Sequence, residues 1–145
     1  MFSNHEIRRN ACQLFGGQAG QGYDWWWHSF TAVSEETGEE RPFYIEYFLC
    51  NPKLGSDEPV LGQLQSNKEE GKKPSYLMVN VGSWGKDPCQ LHRFFSWKET
   101  KVYYGVPYIV EAADCFATED VICGSVKVTE EDAKSHPEWM CEPGE

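Results

Sequence analysis

Three consecutive indoles, Trp25-Trp26-Trp27, restrict what this chain can fold into more than any other stretch. They sit in the run Gly22-Tyr23-Asp24-Trp25-Trp26-Trp27-His28-Ser29-Phe30, with an acid before them and an imidazole after. Neighbouring side chains on a strand point to opposite faces, so Tyr23, Trp25 and Trp27 share one side while Asp24, Trp26, His28 and Phe30 share the other. Both faces are aromatic, and both need cover. An antiparallel strand with one solvated face would show polar residues on that face. The run therefore reads as a central strand, with a packed interior on one side and a second layer or a ligand on the other. Asp24 and His28 flank Trp26 in apolar surroundings, where acids and bases acquire perturbed pKa values. A plain core strand, with both groups hydrogen-bonded at the sheet end, fits the same pattern.

A polar turn, Ser34-Glu35-Glu36-Thr37-Gly38-Glu39-Glu40-Arg41, follows Val33 and leads into Phe43-Tyr44-Ile45-Glu46-Tyr47-Phe48-Leu49-Cys50. That is a hairpin. Phe43, Ile45, Tyr47 and Leu49 make one apolar face; Tyr44, Glu46, Phe48 and Cys50 make a face with a single charge in it. A carboxylate among rings needs a partner or a raised pKa. The adjacent strand offers His28, and a salt bridge to Arg41 or Arg93, or an edge position facing water, would serve equally. Further strands are expected at Ser75–Val81, at Leu91–Trp97, around Val102–Val110 with Pro107 restricting it to an edge or bend, at Asp114–Asp120 and at Val121–Val128. Thr129, with acids after it and Pro137 as a stop, marks one short helix. Residues 1–21 read as a flexible lead-in, and residues 51–74 as a long loop, lid-like or disordered, with Val60–Leu64 packing down.

Bulk composition removes several function classes. The 145 residues suffice for one domain with a real core, and 14% are aromatic, so the core is ring-rich. Net charge is -10 and the 13 Lys and Arg form no cluster, which argues against nucleic acid and anionic membranes as partners. No segment approaches the roughly 20 apolar residues of a bilayer span. Six cysteines without a CxxC pair, and an N-terminus without an apolar signal segment, lead to the expectation of reduced thiols in the cytoplasm. The glycines of Gly16–Gly22 lack a following Lys-Ser/Thr and a helix, so they make no phosphate cradle. Cys89-Gln90-Leu91-His92 is half of a zinc site without a second pair of ligands. Neither a metal nor a cofactor is expected.

Taken together, Gly22–His28 leading into the acidic hairpin, Phe43–Pro52, Pro74–Asn80, Trp84-Gly85, Gln90–Phe95 and Phe116–Val128 resemble the tocopherol cyclase-like and hydroxyneurosporene synthase (carotenoid hydratase)-like group. The resemblance covers most of the chain. It implies an all-β fold, an antiparallel lipocalin-like barrel or sandwich, with the long loop and the one short helix near the C-terminus. It also implies that the chain corresponds to the N-terminal half of a two-domain architecture, with a ligand cavity near the junction of the halves. The acid that protonates substrate in the hydratase relatives belongs to the later half, so no catalytic acid carries over.

The leading expectation is a domain that holds an apolar or aromatic small molecule, within a cofactor-free lyase or isomerase that cyclises, hydrates or isomerises it by proton transfer. Such chemistry needs a preorganised acid in a ring-lined site where aromatic faces stabilise cationic charge. Asp24, His28 and Glu46 are the catalytic candidates. Trp25, Trp26, Trp27, Tyr44, Phe48, Trp84 and His92 are the binding candidates. A non-catalytic module for a lipid-like ligand or a carbohydrate is the alternative, and the placement of the indoles separates the two: a flat exposed platform favours sugar, an enclosed pocket an apolar ligand. A third reading is structural, one layer of a larger assembly completed by a C-terminal half or by a second copy in a homodimer.

Overall fold

The computed structural model of the chain describes residues 10–135 and Pro137. Eight strands form two four-stranded antiparallel sheets, each a simple meander. The first runs in the order β1 (Tyr23–Val33), β2 (Glu40–Cys50), β3 (Tyr76–Ser83) and β4 (Cys89–Phe95). The second runs β5 (Thr100–Tyr103), β6 (Ile109–Ala112), β7 (Cys115–Thr118) and β8 (Ile122–Cys123). Two short α-helices, α1 (Gln65–Glu69) and α2 (Glu130–Ser135), and two 3-10 turns, Gln18–Gly20 and Pro52–Leu54, complete the described elements. The fold is all-β, and the two sheets do not join into a closed barrel among the described residues.

The long hairpin arises where the aromatic and β-branched residues predict it, because ring-bearing and branched side chains fit a pleated, half-buried surface. Its register sets Trp25 opposite Phe48, Trp26 opposite Tyr47 and Trp27 opposite Glu46. β1 is nevertheless the edge of its sheet, not a central strand. Tyr23, Trp25, Trp27, Phe30 and Val33 are all exposed on it.

Alternation divides the first sheet cleanly. One face carries Trp26, Ile45, Tyr47, Leu49, Leu77, Val79 and Phe95, and meets Tyr108, Val110, Ala112, Cys115 and Ala117 of the second layer in one core. Trp26 lies flat on Tyr108 with ring centroids 4.3 Å apart. The Tyr47 hydroxyl donates to the Cys123 carbonyl at 2.8 Å, tying β2 to β8. Burial pushes the Tyr47 phenol well above its ordinary value, so it stays a neutral donor. Arg93 makes the third link. Its Nη1 donates to Asp114 Oδ1 at 2.6 Å and to the Ser125 carbonyl at 2.9 Å, while its guanidinium lies 4.6 Å from the Phe95 ring centre.

Hydrogen bonds from Ser125 and Arg93 hold the Asp114 carboxyl down at about 2, against an ordinary 3.8. A depressed carboxylate pKa contributes stability above the ordinary value and loses it as pH falls through the folded value. The wild type is expected to lose stability between about pH 4 and pH 2, and Asp114→Asn to be the less stable protein above that window. Thermal unfolding by circular dichroism should show the two midpoints converging on acidification; a constant gap would remove Asp114 from the acid response.

Several expectations are corrected, while the packing down of Val60–Leu64, the bend at Pro107 and the helix after Thr129 are met. The lead-in is not wholly flexible: Cys12 and Leu14 are buried in the common core, and the part before residue 10 lies outside the described residues. Residues 51–74 are ordered into a short 3-10 turn at Pro52–Leu54, the helix α1 and a bridge between Val60 and Ser75, with Leu61 buried. The stretch Val102–Val110 is two strands, β5 and β6, separated by a turn that contains Pro107. The last strand shrinks to Ile122–Cys123 because its partner β7 begins at Cys115, so the register leaves residues beyond Gly124 with no strand to pair with; Gly124, at φ +148, lies against Cys115, where a side chain would sit 2.6 Å from Cys115 Sγ. Helix α2 forms with Thr129 as its cap, the Thr129 Oγ1 accepting from the Asp132 N–H at 3.1 Å and Asp132 Oδ2 accepting from the Thr129 N–H at 3.0 Å.

Candidate functional site

The other face of the first sheet is not covered by the second layer, and most of the predicted binding residues gather on it. Reading across the strands, one row is Trp25, Phe48, Met78 and Phe94; the next is Trp27, Glu46, Asn80 and His92; a third is Ser29, Tyr44, Gly82 and Gln90. Aromatic contacts knit these rows into two groups. Tyr23 stacks on Trp25 and Phe48 at 5.7 and 5.5 Å, Phe48 continues to Tyr76 at 6.3 Å, and Phe94 meets Tyr76 and His92 edge-on at 5.3 and 5.9 Å. Beyond the middle row, Trp27 and Tyr44 stack at 4.5 Å, and Trp84 leans on both at 5.9 and 4.9 Å.

Whereas Glu46 and Phe48 on the same face of its strand are half-buried, Tyr44 is buried by this stacking. Gly82 makes that possible. A β-carbon at position 82 would fall 2.5 Å from Tyr44 Cζ and Oη, so the phenol ring lies directly over the glycine. Trp25 and Trp27 remain 51% and 44% exposed, and Trp84 43%. Burial, chiefly, pushes the Tyr76 phenol up to about 12, with Cys50 and Glu46 adding to the shift.

Between the two aromatic groups runs a line of polar contacts. Gln90 Nε2 donates to Asn80 Oδ1 at 3.3 Å, and Asn80 Nδ2 donates to Glu46 Oε2 at 3.1 Å. Asn80 is buried, so its amide is fixed by these two bonds. The line points its donors toward the carboxylate and ends there.

No protein-family model, curated protein or solved structure matches this chain. The residues themselves carry what can be said of the site.

Of the seven predicted binding residues, Trp25, Trp27, Tyr44, Phe48, Trp84 and His92 meet on this open face. Trp26 does not. It is 8% exposed, on the interior side, with its Nε1–H donated to the Asn10 carbonyl at 2.8 Å. The three acid–base candidates are split in the same way. Asp24 lies on the interior side, accepting the Gln13 N–H at 2.7 Å, and its other oxygen accepts the Trp25 N–H at 2.9 Å. His28 is on that side too, opposite Ile45, with Nε2 buried and lacking a hydrogen-bond partner among the described residues. Glu46 alone stands among the exposed rings. The expected His28–Glu46 pair cannot form, because the register puts Trp27 opposite Glu46 and a one-residue offset reverses the face. Arg41 and Arg93 do not serve Glu46 either: they pair with Glu39 and Asp114.

Asn80, Gln90 and Gly82 were not singled out from sequence. Asn80 carried a usable signal, a lone amide in the apolar strand Tyr76-Leu77-Met78-Val79-Asn80-Val81. Gln90 and Gly82 acquire meaning only from the register. Cys89 and His92 point to opposite faces of β4, and no cluster of metal-ligating side chains occurs among the described residues. No helix there is long and apolar enough to cross a membrane.

A cavity of about 50 Å³ is lined by Ile45, Tyr47, Val79, Val81, Ile122, Cys123, Gly124 and Val126, against roughly 300–1,000 Å³ for ordinary ligand pockets. A groove of about 410 Å³ lies at the tip of the first hairpin, between Ala32, Val33, Ser34, Thr37, Glu39, Arg41 and Phe43. Its charged groups, Glu39 and Arg41, already face each other at 3.5 Å.

Proposed function

We propose that the open face of β1–β4 binds a mostly apolar, ring-bearing small molecule. In this reading the chain is a lipocalin-like domain of the tocopherol cyclase-like and carotenoid hydratase-like kind, equivalent to its N-terminal half. One observation carries the reading: six aromatic or imidazole side chains chosen from sequence converge on one face, with Glu46 in their midst. Rings of a ligand would stack on Trp25, Trp27 and Trp84, displacing water from apolar area.

A carbohydrate is the second reading, favoured by the openness of the indoles. Sugars, however, need many free hydrogen-bonding groups around the stacked ring, and here the Asn80 and Gln90 amides are engaged with one another and with Glu46. That scarcity favours the apolar or aromatic ligand. Should turnover accompany binding, Glu46 is the group placed to move a proton, whereas Asp24 and His28 serve the interior.

Intrinsic tryptophan fluorescence tests this directly. Aromatic and isoprenoid compounds are expected to quench it saturably, with Trp27→Ala weakening binding by about tenfold, the scale of one lost stacking anchor at roughly 1–1.5 kcal/mol. Saturation by oligosaccharides alone would overturn the reading in favour of the sugar module.

A further inference from the structure

Glu46 is the one carboxylate in the middle of the aromatic face, and the basic side chain in its row, His92, stands two strands away, beyond Asn80. The strand positions that project there from β1 to β4 include no Lys or Arg. Asn80 satisfies Oε2, but Oε1 accepts no hydrogen bond from the described residues. A wholly neutral, apolar occupant would strip water from that oxygen and leave an ionised group desolvated without compensation, which is strongly unfavourable. An occupant that brings positive charge removes the penalty, and it gains attraction from the π-faces of Trp27 and Trp84, which cluster with the buried Tyr44 ring. The protein as a whole, at net charge -10, favours the approach of a cation as well.

We propose that the ligand of this face is an organic ammonium with an apolar ring, its cationic nitrogen held by Glu46 and the neighbouring indoles. The proposal rests on the open face being a binding site, and the experiment separates the two. Phenyltrimethylammonium and tert-butylbenzene have nearly the same shape and differ by one charge. Both are titrated into the full chain by tryptophan fluorescence, with Glu46→Gln and Glu40→Gln as variants. Glu40 lies at the far end of β2, opposite Val33, so it controls for a general loss of one negative charge.

The expected result is that the ammonium binds at least about tenfold more tightly than the neutral isostere. Glu46→Gln, which keeps an oxygen for Asn80, should shrink that preference to less than about threefold, and Glu40→Gln should preserve it. Equal affinity for the two compounds, or a preference that survives Glu46→Gln, would overturn the charge assignment while leaving the binding face intact. Binding of neither compound, nor of any apolar ring compound, would remove the face as a site and the charge assignment with it.

Discussion

Trp26→Ala is expected to destabilise the protein by about 3–5 kcal/mol, the cost of truncating a large buried aromatic. The side chain is nearly inaccessible, stacked on Tyr108 at 4.3 Å, and it supplies the donor for the Asn10 carbonyl. Alanine would leave a cavity between the layers and an unmatched acceptor beside it. Trp25, one residue earlier, is half in water, with ring contacts to Tyr23 and Phe48 at 5.7 and 6.5 Å. Its replacement by alanine should cost about 1 kcal/mol. Urea unfolding followed by circular dichroism measures both, and Trp26→Phe separates ring volume from the hydrogen bond. Similar losses for Trp25→Ala and Trp26→Ala would contradict the division of the indoles between the two faces.

Gly82→Ala should be the most damaging single-methyl addition on the open face. The new methyl would meet Tyr44 Cζ and Oη at 2.5 Å, and the ring cannot swing aside freely because Trp27 lies parallel to it at 4.5 Å and Trp84 leans on it at 4.9 Å. Overpacking of this kind costs about 1–3 kcal/mol. Relief has to come from displacing Tyr44, which spoils the seat of both indoles, so ligand-induced quenching should fall along with stability. The double variant Gly82→Ala, Tyr44→Ala should lose less than the sum of its parts, since the clash requires both groups. Strict additivity would show that the ring does not press on residue 82.

The strands were legible because they rest on short-range chemistry. Tyr23–Val33 coincides with β1, the turn at Gly38 with the hairpin connection, and Thr129 with the start of the last described helix. Where local signals misled, a distant contact decided. Val121–Val128 is rich in strand formers, yet pairing stops at Cys123 because the partner strand β7 begins at Cys115 and offers nothing beyond it. Cys12 and Leu14 sit in a stretch that reads as polar and glycine-rich, yet they are buried in the core that the two sheets share.

Site residues divide along the same line. Alternation on a strand, a property of each residue's neighbours, was enough to separate Trp26 from Trp25 and Trp27, and to put Tyr44, Glu46 and Phe48 together. Which of the two faces is interior depends on where β5–β8 lie, and no local pattern encodes that. Likewise the partner of Glu46 follows from the offset between β1, β2 and β3: shift either ladder by one residue and His28, or an aliphatic side chain, would take the place of Trp27 or Asn80. Period-two chemistry thus determined the strands and their two sets of side chains. Only the tertiary packing, by burying Trp26 against Tyr108 and leaving Trp25 and Trp27 exposed, decided which indole holds the fold and which carboxylate stands among the exposed rings.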